Sequence, residues 1–162
     1  MNKTFYALLF LSVLGAASCK KDDNKTNTPN NPSNADFPVG TWTLTSYTSD
    51  KPILTRNGET TTDIIKAEGI PPCGLDNLYT YKADGTYTVD EGPTKCDPAD
   101  PQTLYSTRWT LNGNTLTIDG QAAQVTQVDA SHFKMMSANE VYYRTDTDST
   151  VYNATYSFTK KQ

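Results

Sequence analysis

The residues able to do chemistry are few, and most sit in the wrong company. The 162-residue chain holds one histidine and three cysteines. Ser131 and His132 are the nearest thing to a nucleophile and a base, but they are chain neighbours. Neighbours on a strand point to opposite faces, so they cannot meet as a catalytic pair must. No Gly-x-Ser-x-Gly elbow, phosphate loop or Gly-x-Gly-x-x-Gly is present. The acids Asp90, Glu91, Asp97 and Asp100 fall close together, and Asp146 and Asp148 share a later turn. Calcium takes six to eight oxygens, usually from a patterned loop that is missing here, so these acids read as solvated turn residues. No cofactor and no metal are expected, and the chain does not read as an enzyme. A net charge of −4 argues against a nucleic-acid partner.

Two cysteines can do structural chemistry. Cys73 and Cys96 form an even pair once Cys19 is set aside. In an exported protein a disulfide is the plain expectation. It would close a loop spanning Lys82-Ala83-Asp84-Gly85, a hairpin signal. A tetrahedral zinc site lacks ligands, and a thiol enzyme would have only His132 as its base.

Export is written at the N-terminus. Lys3 supplies a positive start, Phe5 to Leu14 an apolar run, and Gly15 to Ser18 a series of small residues before Cys19. Residues 1–18 read as a signal peptide, since the apolar run is too short to span a bilayer stably. A cysteine after small residues resembles the bacterial lipoprotein box, in which the thiol is acylated; this makes Cys19 the membrane anchor. The charged patch Lys20-Lys21-Asp22-Asp23 resembles the surface-export signal of Bacteroidetes lipoproteins. The expected location is therefore the outer membrane, lipid-anchored and exposed at the cell surface. Residues 19–36 carry the lipidated cysteine and a tether dominated by Asn, Pro, Thr and Ser.

From residue 37 to 162 the apolar period is two. Thr (26 residues) and Tyr (10) are abundant, and both suit strands. Turn signals recur at Asp84-Gly85, Asn112-Gly113-Asn114, Asp119-Gly120, Asp129-Ala130-Ser131, Ser137 to Glu140 and Asp146 to Ser149. The pattern predicts one all-β domain, an antiparallel up-and-down barrel or sandwich of about eight strands. Only Thr61 to Gly69 admits a helix, capped by Thr62, ended by Gly69 and stopped by Pro71-Pro72.

Several blocks then resemble a known family. Gly40-Thr41-Trp42 matches the Gly-x-Trp motif that opens the first strand of lipocalins. CGLDNLYTYKADGTYTVDEG, Cys96 and TRWTLNGNTLTIDG follow in the order found in the lipocalin-like domain of Bacteroidetes lipoproteins. The resemblance covers roughly residues 38–140. It implies an eight-stranded lipocalin-like barrel with Trp42 packed near the closed end, beneath a basic residue that is either Arg144 or Lys160.

Aromatic positions supply the candidate site. Trp42, Leu44, Tyr105, Trp109, Phe133 and Tyr156 would line an interior able to hold one small apolar or amphipathic molecule. The competing expectation is a filled barrel, with loops 50–62 and 90–104 contacting another envelope protein. Tyr79, Tyr81 and Tyr87 offer either a platform for a glycan ring or ordinary cross-strand pairs. Of Tyr142–Tyr143 and Met135–Met136, one member of each must face outward.

Overall fold

The computed structural model describes residues 39–162. The expected signal peptide at 1–18, the expected lipidation site Cys19 and the expected tether to residue 36 lie outside the described residues.

The chain turns back on itself at each expected hairpin, and short turns leave neighbouring strands no choice but to pair. Nine strands result among the described residues: β1 (Gly40–Leu54), β2 (Thr60–Asp63), β3 (Leu78–Tyr81), β4 (Thr86–Asp90), β5 (Thr103–Asn112), β6 (Thr115–Ile118), β7 (Gln121–Val128), β8 (His132–Thr145) and β9 (Asp148–Lys160). All pairings are antiparallel, in the order β2-β1-β3-β4-β5-β6-β7-β8-β9, and β1 also pairs with β9. That last ladder closes β1 and β3 to β9 into an eight-stranded barrel, leaving β2 as a flap on the upper half of β1. Closure removes the long unpaired edges that such a Thr- and Tyr-rich sheet would otherwise expose.

Turn chemistry explains the hairpins. Gly85 takes φ +82° and the Asp84 carboxylate accepts from the Thr86 N–H at 2.8 Å. Asp119 (φ +50°) and Gly120 (φ +78°) give the two left-handed residues that a tight two-residue turn requires. Ser137 to Glu140 differs from the expected turn. Asn139, at φ +60°, makes a bulge between Ser137 and Glu140, and β8 continues through it for 14 residues. Residues 50–62 are likewise not a free loop, since they hold the end of β1 and the start of β2.

The expected helix forms as α1 (Ile64–Glu68). Asp63, not Thr62, caps it by accepting from the Lys66 N–H at 3.2 Å, and Gly69 ends it at φ +65°. Pro72 then opens a second short helix, α2 (Pro72–Leu75). Proline cannot extend a helix but suits its first position, so the pair of prolines both stops α1 and starts α2.

The register sets the barrel's two ends. β1 starts, and β9 finishes, beside the turns at 82–85, 112–114 and 129–131. This end is packed shut. Trp42, Tyr81, Tyr87, Leu116, Val125, Phe133 and Phe158 form a buried cluster there. Fully burying a side chain of this size contributes about 1.5–3 kcal/mol. At the other end β1, β8 and β9 run on past the shorter strands. Their inner face packs Ile53, Tyr142, Tyr152 and Ala154 against Ile64 and Ala67 of α1. The Tyr142 hydroxyl donates to the Ala67 carbonyl at 3.2 Å.

Candidate ligand-binding site

The closed end is a solid floor. Trp42 and Phe133 are wholly buried and meet edge to face at 5.0 Å, and Phe133 stacks on Phe158 at 4.5 Å. The Lys160 ammonium lies 5.5 Å from the Trp42 ring centre. Lys160 is thus the basic residue over the tryptophan, whereas Arg144 pairs with Asp148 at the far hairpin. Gly40 leaves room for this, because a Cβ there would sit 3.0 Å from the lysine stem. Trp109 belongs to the same end: it packs edge-on to Tyr81 at 5.8 Å and its indole N–H donates to the Lys82 carbonyl at 3.0 Å.

Between the floor and the buried cluster under α1 lies a belt of half-buried inward side chains. Leu44, Tyr79, Val89, Ile118, Met135 and Tyr156 all pack on the floor from this side. Tyr47 stacks on Tyr156 at 4.4 Å, and its hydroxyl is 2.8 Å from that of Tyr152. The Tyr156 hydroxyl donates to Glu140 at 3.4 Å. Burial raises the pKa of Tyr47, Tyr152 and Tyr156 well above the ordinary phenol value of 10.0. At neutral pH these are therefore neutral hydroxyls able to donate or accept.

The six side chains proposed from the sequence thus sit at different levels. Trp42 and Phe133 build the floor, Trp109 flanks it, and Leu44 and Tyr156 rise above it. Tyr105 lies opposite Val89 and meets Tyr87 edge to face at 6.4 Å, yet it is 41% exposed, and its hydroxyl donates to Asp119 at 2.6 Å. The glycan platform does not exist, because Tyr81 and Tyr87 are buried in the floor. The outward members of the two pairs are Tyr143 and Met136.

The acids behave less uniformly than expected. Asp97 closes a surface turn through the Ala99 N–H at 2.8 Å. Asp90 points outward, where the hydroxyls of Thr88 and Thr103 donate to it at 3.0 and 2.5 Å. Glu91 is not a solvated turn residue at all, being only 3% exposed. The period of two that places Tyr87 and Val89 inside carries on to Glu91, a signal obscured by the neighbouring Gly and Pro. Among the described residues no three His, Cys, Asp or Glu side chains gather as a metal-holding set. Cys73 and Cys96 are bonded, tying α2 to the 91–102 segment beside the open end.

Ser131 and His132 both serve Asp129. Its carboxylate accepts from the Ser131 and His132 backbone N–H groups at 2.8 and 2.7 Å, and the His132 ring lies 3.3 Å away. These bonds hold Asp129 below the usual carboxylate range, the Ser131 N–H contributing most. The trio closes the exposed β7–β8 turn.

A closed up-and-down barrel with a tryptophan floor under a lysine, and half-buried aromatic side chains above, has the architecture of a lipocalin-like barrel. The chain belongs to the lipocalin-like domain family, whose model matches residues 39–139. No curated protein matches the chain.

Proposed function

We propose that this is a lipid-anchored lipoprotein of the outer membrane, exposed at the cell surface, whose barrel binds a small apolar or amphipathic ligand at its open end. The signal-like residues 1–18, Cys19 and the polar tether support the anchor. One observation carries the binding reading. Between the buried floor and the buried cluster under α1, the inward side chains Tyr47, Tyr79, Met135 and Tyr156 are only half-buried. A ligand seated there would cover apolar surface while the phenol groups offered hydrogen bonds. The half-buried aromatic lining supports reading the cup as a binding module and not an enzyme.

A second reading is a barrel that docks on another envelope protein. It is favoured by the exposed Val141, Tyr143 and Val151 on the outer face of β8–β9. Native mass spectrometry of the protein released mildly from its source membrane separates the two. A co-purifying small molecule supports the carrier, whereas a bare mass with a retained protein partner supports docking. The same spectrum reads the acyl chains on Cys19, and an unacylated cysteine would remove the anchor.

A further inference from the structure

Three side-chain oxygens near the open end are buried and accept no hydrogen bond: Glu91 Oε2, Asn77 Oδ1 and Asp76 Oδ1. A buried acceptor left unmet is costly, and a carboxylate most of all. Glu91 and Asn77 belong to one face of the ladder. Leu78 pairs with Asp90 and Tyr79 with Val89, so the next step of the ladder sets Asn77 opposite Glu91. The strands stay together beyond it, because a Cβ on Gly92 would land on the backbone oxygen and Oδ1 of Asp76. Asp90 is held on the outer face by Thr88 and Thr103, so alternation aims Glu91 inward. Its cross-strand partner Asn77 shares that face, directly above Tyr79 and Val89 of the cup. Asp76 is anchored behind them, its Oδ2 accepting from the Thr94 N–H at 3.2 Å.

The missing partner must therefore bring hydrogen-bond donors to the inner face. We propose that Glu91 and Asn77 form an acceptor socket for the ammonium group of an amphipathic amine whose apolar tail lies on Tyr79, Val89, Met135 and Tyr156. The inference deepens, and rests on, the reading of the barrel as a ligand-binding cup. An ammonium supplies three donors for these oxygens, and the tyrosine ring faces add cation–π attraction.

The test compares three probes of equal tail length: decylammonium, decanol and decanoate, each below its micelle concentration at neutral pH. The closed sheet, both buried clusters and the disulfide lie within residues 39–162, so the chain from Lys20 onward retains the whole barrel. Calorimetry should show the amine binding about ten- to a hundredfold more tightly than the alcohol, as hydrogen bonds to a charged group allow, with the carboxylate weakest. In Glu91→Gln that preference should vanish while decanol binds as before. The same variant should melt no lower than the parent, since the new amide offers donors to Asn77. Equal binding of all three probes overturns the socket and leaves the cup standing. A lower melting temperature for Glu91→Gln also overturns it, by making Glu91 a structural group. If none of the three probes binds, the cup falls and the socket with it.

Discussion

Cutting the Cys73–Cys96 bond by replacing both residues with serine should remove about 3.4 kcal/mol of stability. The two cysteines are 23 residues apart, and loop-closure entropy for such a span gives that figure at 25 °C. For a folding unit of this size the unfolding entropy turns it into a fall in melting temperature of about 13 °C. Urea unfolding followed by the fluorescence of Trp42 and Trp109 reads it directly, because both indoles pack in or beside the floor. The denaturant slope should steepen slightly, since an uncross-linked unfolded chain exposes more surface. The bond lies beside a second fastening, in which Gly92 packs on Asp76 and the Thr94 N–H reaches the same aspartate. A loss below about 1 kcal/mol would refute the entropic reasoning, and would mean that these contacts hold the 91–102 segment whether or not the sulfurs are joined.

That second fastening makes Gly92→Ala informative: with no space for a methyl against Asp76, the variant should lose about 1–3 kcal/mol in a urea titration. Phe133→Ala opens a hole between Trp42 and Phe158 and should cost about 3–5 kcal/mol by the same assay; a cost near 1 kcal/mol would mean that the floor is loosely filled. Burial raises the pKa of Tyr47, Tyr81, Tyr87, Tyr152 and Tyr156 above 10.0. Each phenol therefore binds its proton more tightly in the barrel than in the unfolded chain. Their contribution is intact below pH 10 and is lost as the pH climbs beyond it, so a second rise in tyrosinate absorbance should coincide with loss of the near-ultraviolet dichroism.

Much of the barrel was legible because its turns are chemically explicit. Asp84-Gly85 and Asp119-Gly120 announce their backbone angles, and the spacing between them leaves only hairpins. The pairing of Cys73 with Cys96 and the tryptophan of Gly-x-Trp beneath Lys160 were also within reach. What failed was sidedness. Tyr79, Tyr81 and Tyr87 alternate correctly whether their face is inside or outside, and only closure through β1 and β9 decides it. Ser137 to Glu140 was misleading for a related reason, since a bulge and a turn recruit the same left-handed asparagine. Glu91 was missed because a carboxylate beside Gly and Pro is normally wet, whereas the strand alternation carries this one inward to 3% exposure.

The closed floor also sets a mechanical polarity. The chain enters β1 and leaves β9 at the same end, where Trp42 lies opposite Lys160 and the Lys161 N–H bonds the Thr41 carbonyl at 2.8 Å. Any tether pulling on the segment before β1 therefore draws on the floor, with the mouth at the distal end. Such tension runs along β1 while β3 and β9 grip it from either side. It loads both ladders in shear, so their hydrogen bonds share the strain and the strand cannot be peeled away one residue at a time.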